Sequence, residues 1–287
     1  MSLKDRIPWQ IKLASKIVLS RLPVPYSVWK MLSAFEHGGM ERPEYALEVF
    51  ERHWQRVHFE RKEQGGFVAL ELGPGDSLFS ALIAKAFGAS VTYLVDVGSF
   101  AVSDLESYRR VAQLLESRGF SLPECAKAST LEELLAACST SYLTGGLSSL
   151  REISSASVDF VWSQAVLEHV RRDHFLPLLC ELRRIQKPAG VSSHRIDLKD
   201  HLGGALNNLR FAPAVWEWDF MTKSGFYTNR IRYTEMLGLM CEAGFQTQVL
   251  DVDRWRNLPT PRKGLADPFS SLSSDELSIS GFDVLLH

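Results

Sequence analysis

Glu71-Leu72-Gly73-Pro74-Gly75-Asp76-Ser77 joins a strand-length apolar run, Phe67-Val68-Ala69-Leu70-Glu71-Leu72, to a helical pattern over 77–87 that is apolar nearly all round. The glycines remove Cβ atoms, so the chain can turn sharply and a ligand can approach its backbone. A helix that begins near Ser77 directs its unpaired N–H groups and positive dipole end toward the same point. A strand, a glycine turn and a helix in that order open a βαβ unit.

Strands and helices continue to alternate downstream. Strands are predicted at 91–96, weakly near Tyr142, and at 158–163, 191–198, 245–252 and 278–286. Helices are predicted at 102–118, 131–137 and 234–243, the last closed by Gly244. One more starts at about Asp173, carries Phe175, Leu178, Leu179, Leu182 and Ile185 on one face, and is ended by Pro188 and Gly190. With the strand at 67–72 this predicts a seven-stranded, mostly parallel sheet with an antiparallel last strand, spanning 67–287. Upstream, 1–66 reads as a helical extension broken by Pro23 and Pro25. Its first helix places Ile7, Ile11, Ala14 and Val18 on one face and Lys12 and Lys16 on the other, and a second runs from Pro43 to about Arg61. The 202–232 stretch is too long for an ordinary connection and reads as a lid-like insertion rich in Trp216, Trp218, Phe220, Phe226 and Tyr227. Its aromatics would either cover a substrate or pack the N-terminal helices onto the domain. Ser270 to Ser274 reads as a flexible linker.

Composition narrows the function classes. The 287 residues are 45% hydrophobic and 23% charged, ordinary globular values. Lys and Arg number 32 against 34 Asp and Glu, a net charge of -2 that gives no bulk attraction to nucleic acid. No apolar run approaches membrane-spanning length. The first thirty residues hold Lys4, Arg6, Lys12, Lys16, Arg21 and Lys30 against Asp5 alone, which would allow peripheral contact with an anionic membrane face. A packed helix or a dimer contact would use the same residues. Charges interleave with apolar residues there, so no secretory signal is expected and the location reads as cytoplasmic. Cys125, Cys138, Cys180 and Cys241 are scattered, which suits a reducing compartment and provides no thiolate metal cluster.

The chemistry-bearing residues fall at the carboxyl ends of the predicted strands, where open parallel sheets bind ligands. A dinucleotide fingerprint would place a third glycine at Leu78, and Glu71 would repel a pyrophosphate. A carboxylate before the first glycine suits a ligand with an ammonium group, as S-adenosylmethionine has. Asp96, ending the next strand, can accept from both hydroxyls of a ribose. Glu168-His169 lacks a third metal ligand at helical spacing, so no metal centre is expected.

Glu71-Leu72-Gly73-Pro74-Gly75, Asp96 and the run Asp159 to Val170 together resemble the class I S-adenosylmethionine-dependent methyltransferases, which have a Rossmann-like fold. The resemblance implies a methyl transferase whose cofactor, S-adenosylmethionine, is bound by Glu71, Gly73, Gly75, Asp96, Ser163 and Gln164. Ser77 stands where the family has its third glycine, and the adenine-contacting acid after the third strand has no counterpart. Residues 194–201 and 224–230 resemble bacterial methyltransferases of surface-polysaccharide or glycolipid synthesis, which implies a sugar or other hydroxyl acceptor. His201 or His194 is then the expected general base, with Asp200 orienting an imidazole. Asp197, Tyr227, Asn229, Arg230 and His169 are expected to contact the acceptor. An NAD(P)-dependent Rossmann oxidoreductase and a non-catalytic S-adenosylmethionine-binding module remain open as alternatives.

Overall fold

Leu70 and Leu72 turn to one side of β1 (Phe67–Leu72) and Phe67 and Ala69 to the other, and both sides are covered. A strand buried on both faces reads as a near-continuous apolar run for that reason. The computed structural model describes residues 8–19, 21, 39–57 and 66–287. β1 lies inside a seven-stranded sheet with β2 (Ala89–Val95), β3 (Thr140–Leu143), β4 (Val158–Gln164), β5 (Gln186–Asp197), β6 (Thr247–Arg254) and β7 (Ile279–Leu286), in the order β3-β2-β1-β4-β5-β7-β6. The pairs from β3 through β5 are parallel, and β7 runs antiparallel to both β5 and β6. The chain moves outward from β1 to β3 and then crosses back to β4. The strand order therefore reverses between β1 and β4, where a doubly wound sheet opens its ligand crevice.

One face carries α2 (Pro43–Arg56), α3 (Ser80–Ala86), α4 (Leu105–Ser117) and α5 (Leu131–Ala137), with Leu47, Phe50, Phe79, Phe160 and Trp162 in its core. Phe50 sets α2 against the sheet, with ring centroids 6.0 Å from Phe160 and 5.9 Å from Trp162, both edge to face. The other face carries α6 (Leu147–Glu152), α7 (Arg172–Ile185) and α8 (Tyr233–Glu242) over Leu70, Val161, Ile196 and Phe282. Local chemistry agrees with these boundaries. Pro43 occupies the first turn of α2, Asp104 caps α4 through Glu106 N, and Thr130 caps α5 through Glu133 N. No helix among the described residues is long and apolar enough to cross a membrane.

The structure departs from the sequence reading in three places, and within the insertion it takes one of the two readings left open. α1 (Trp9–Leu19) docks through Trp9, Leu13 and Ile17 onto Trp216, Phe226 and Tyr227, whereas Ile11 and Val18 are 59% and 60% exposed. The docked stripe, itself half-buried, is thus one step around from the predicted one, and Lys12 and Lys16 also lie half-buried. Ile7, the prolines at 23 and 25, and Lys4, Asp5, Arg6 and Lys30 lie outside the described residues, as does the predicted helix end beyond 57. β5 starts at Gln186 because Gln186 pairs with Val158 and the ladder then bulges to Val191. The bulge takes up Pro188 and Gly190, as strand prolines require. The supposed linker at 270–274 is folded: Phe269 is buried and the Ser273 side chain caps a short helix at Ser274–Ser278. Within 202–232, Trp216, Phe226 and Tyr227 form a satellite core with α1, while Trp218 stays 64% exposed and stacks on Phe220. The insertion is thus held to the N-terminal helix by its own aromatics.

Candidate active site

The turn after β1 is made by Gly73 and Gly75, both in the left-handed region at φ 71° and 67°. Gly73 N donates to Val95 O at 2.8 Å, and a Cβ on Gly73 would stand 2.6 Å from Val166 Cγ2. Bare backbone here lets the segment after β4 close against the segment after β1. Glu71 lies beneath the turn, 3% exposed, and its Oε2 has no hydrogen-bond partner among the described residues. Burial raises its pKa to about 8; the neighbouring Ser80 hydroxyl acts against the rise and the Asp96 charge adds to it. An unsatisfied carboxyl group in this position fits a cation supplied by a ligand.

Asp96 follows β2 and is buried. Its Oδ2 accepts from Gly75 N at 3.0 Å and its Oδ1 from Val97 N at 2.7 Å. Its backbone is tied to the segment after β3, through Asp96 N to Leu143 O at 2.8 Å and Gly146 N to Asp96 O at 2.7 Å. The side chain thereby braces the glycine turn.

Strand register separates Ser163 and Gln164. Glu71 is level with Trp162, so Gln164 shares the Glu71 face and Ser163 takes the opposite one. Gln164 Oε1 lies 3.2 Å from His53 Nε2, and His53 Nδ1 lies 2.8 Å from Ser193 Oγ. If the amide oxygen accepts, the His53 Nε2–H donates and Nδ1 receives the serine proton. Burial lowers the His53 pKa to about 4, so the imidazole is neutral and holds Gln164 in one orientation. His53 was not singled out from the sequence. Its only signal is a polar residue at helical spacing on the buried stripe Ala46, Val49 and Phe50.

Ser163 and His194 are a correction. Both are fully buried on the α7 side, with Ser163 Oγ 2.7 Å from His194 Nδ1. Burial drives the His194 pKa down to about 3. The ring is neutral and paired with the Ser163 hydroxyl, and neither side chain shares the Glu71 and Gln164 face. Asp200 is corrected too. It is buried and accepts from the backbone N–H groups of Leu202, Gly203 and Asn207, shaping the turn instead of orienting an imidazole.

Three of the expected acceptor contacts are also committed to the fold. Asn229 donates to Leu167 O and Val170 O and accepts from Ile231 N. Arg230, in the left-handed region at φ 58°, donates to Asn208 O and Phe211 O and pairs with Glu217. Tyr227 donates its hydroxyl to Glu217 Oε2 at 2.7 Å. Asp197 is half-buried and paired with Lys199 at 3.3 Å.

His169 and His201 are brought together. They are exposed, with Nε2 atoms 3.1 Å apart and ring planes within 14° of parallel. His169 Nδ1 lies 3.0 Å from Tyr227 O, a pure acceptor, so that nitrogen carries a proton. In that contact His169 Nε2 is then the acceptor and His201 Nε2 the donor.

Glu168, next to this pair, is buried with its pKa raised to about 8 by desolvation, with the Asp197 charge adding to the rise. It lines a cavity of about 10 Å³ with Asn208, Arg230 and Arg232. Glu168 Oε2, Asn208 Oδ1, Arg230 Nε and Arg232 Nε have no hydrogen-bond partner among the described residues. The space suits about one water molecule. Among the described residues no cluster of three or more His, Cys, Asp or Glu is placed to hold a metal ion.

Residues 70–193 match the methyltransferase domain family. No curated protein matches the sequence. Among solved structures, the chain is similar to an O-methyltransferase family protein from Burkholderia thailandensis, with 9% identity, 85% of this chain and 57% of that one covered, and a TM-score of 0.45. It is also similar to an S-adenosylmethionine-dependent methyltransferase from Archaeoglobus fulgidus, with 9% identity, 85% and 93% covered, and a TM-score of 0.43. A third is phosphoethanolamine N-methyltransferase 2 from Haemonchus contortus, with 14% identity, 83% and 51% covered, and a TM-score of 0.43. The domain match covers both halves of the crevice, from β1 to β5, and its cofactor is S-adenosylmethionine. The unsatisfied Glu71 carboxyl under a bare-backbone turn fits that cofactor's ammonium group.

Proposed function

We propose that this S-adenosylmethionine-dependent methyltransferase methylates a hydroxyl oxygen of a small molecule, sugar or glycan precursor, with His201 as general base and His169 as its partner. The observation that carries the reading is the 3.1 Å contact between their Nε2 atoms, just beyond the carboxyl ends of β5 and β4. A hydroxyl must lose its proton as it is methylated, so this acceptor class needs a base where an amine of low pKa would not. His201 Nδ1 takes that proton. His201 Nε2–H continues to donate to the neutral His169, which stabilises the new imidazolium, and the Tyr227 carbonyl holds His169 in the tautomer that permits it.

When bound, the cofactor supplies an electrophilic methyl group on a sulfonium. Glu71 would hold the ammonium group, the Gly73 and Gly75 backbone would lie along the amino-acid end, and Asp96 would accept from the ribose. Gln164, fixed by His53, faces the same side as Glu71. We assign 67–287 to the catalytic domain and 1–66 to an extension whose helix α1 braces the 202–232 insertion.

The test is a screen of acceptors with methyl-labelled S-adenosylmethionine, beginning with sugar nucleotides and lipid-linked sugars. With the acceptor found, His201→Gln should lower kcat by roughly 10²- to 10⁴-fold and His169→Gln by less, with S-adenosylhomocysteine affinity unchanged in both. Label on nitrogen or carbon, or full activity in His201→Gln, overturns the reading.

A further inference from the structure

We propose that Cys125 and Cys138 are a dithiol pair that a peroxide converts to an intramolecular disulfide, a modification site separate from the methyl-transfer crevice. Their Sγ atoms lie 3.1 Å apart in the core under α4 and α5, 13 positions apart in sequence. Cys125 opens the single turn Cys125–Lys127 after α4, and Cys138 caps the end of α5. A disulfide needs its sulfurs at about 2.05 Å, so closure asks for about 1 Å of approach. Side-chain rotation of two thiols already facing each other supplies a movement of that size.

The pair has unequal partners, as a reacting dithiol requires. The hydrogen bond from Cys138 holds the Cys125 thiol below the ordinary thiol range, and the Lys85 ammonium favours the same thiolate. The same hydrogen bond and burial push Cys138 up. Cys125 is 5% exposed and Cys138 fully buried, so a small oxidant meets Cys125 first. The Cys125 thiolate attacks one oxygen of hydrogen peroxide, whose O–O bond breaks; the sulfur becomes a sulfenic acid and hydroxide leaves. Cys138 then attacks that sulfur, the S–O bond breaks, and the departing oxygen with the thiol proton leaves as water. Two thiols and one peroxide thus yield one disulfide and two waters.

The cross-link would fasten the turn after α4 to the residue that leads into β3. β3 in turn holds Asp96 through Leu143 O, so the effect reaches the edge of the crevice through the backbone. Cys180 and Cys241 are exposed and serve as internal controls.

The experiment treats the folded full chain with hydrogen peroxide, quenches, unfolds, alkylates and maps peptides by mass. The expected product is the Cys125 and Cys138 peptides joined with the loss of two hydrogens, and not joined to Cys180 or Cys241. The oxidised protein should melt at a higher temperature than the same sample after dithiothreitol. In Cys138→Ser the cross-link should vanish and Cys125 should be trapped as a sulfenic acid by dimedone; if that variant fails to fold, the wild-type map decides alone. Cys125 and Cys138 both still alkylated when Cys180 or Cys241 is already oxidised, or a cross-link that forms only after unfolding, overturns the proposal.

Discussion

Glu71 and Glu168 are buried acids with no cation in hydrogen-bond contact among the described residues, while His53 and His194 are buried neutral imidazoles, and the four make opposing demands on pH. Each acid has a folded pKa near 8 against 4.5 for the exposed group. Their stabilisation is complete below 4.5 and is lost as pH rises through 8, at about 1.4 kcal/mol per pH unit for each acid. The histidines have folded pKa values of about 4 and about 3, so their contribution is present above 6.5 and lost as pH falls. The two trends offset between about 4.5 and 6.5, and the acids alone act above that. The ligand-free protein should therefore lose thermal stability from pH 6.5 to 8, and Glu71→Gln with Glu168→Gln should flatten that slope. A midpoint constant over this range in the wild type would remove the basis for a protonated Glu71. Binding of the cofactor at pH 7 should also release a proton from Glu71, read as a dependence of the calorimetric heat on buffer ionisation enthalpy and absent in Glu71→Gln.

At the scale of the element, α1 is the helix whose docking could not be read from its own pattern. Its apolar residues fall at two helical spacings, one through Ile11 and Val18 and one through Trp9, Leu13 and Ile17. The second is half-buried because the 202–232 insertion offers Trp216, Phe226 and Tyr227 as its partner, with Trp9 meeting Phe211 edge to face at 6.1 Å. Leu13→Ala and Ile17→Ala should therefore speed hydrogen exchange across 211–227. Ile11→Ser and Val18→Ser should leave it unchanged and alter stability by less than about 0.5 kcal/mol. The reverse pattern would return the helix to the predicted face. β5 teaches a related lesson: Gln186 donates to Gly190 O at 2.8 Å, and this bulge lets a proline and a glycine lie inside a strand that they seemed to precede.

For the whole molecule, the sheet order brings the ends of β1, β2, β4 and β5 to one edge, and ligand choice is decided there. S-adenosylhomocysteine at a hundredfold excess over its Kd should stabilise the protein by about 2.7 kcal/mol, and NAD(H) should not. A shift with NAD(H) alone would transfer the crevice to the oxidoreductase alternative. Elsewhere, Asp283 on β7 accepts from Arg56 at 2.8 Å and Arg195 at 3.3 Å, joining α2 to the antiparallel side of the sheet.

The sequence by itself determined the strand and helix succession, the bare-backbone turn with its leading acid, and the position of Asp96, because these depend on local periodicity and on residues adjacent along the chain. Tertiary structure alone decided which face each strand residue takes. The level of Trp162 with Glu71 and with Ser193 sends Ser163 and His194 to the far face, and a one-step difference in register would have reversed that. It also decided that Asn229, Arg230 and Asp200 serve the fold. A buried polar group must find partners, and only packing determines whether those are a ligand or the chain's own carbonyls and amides.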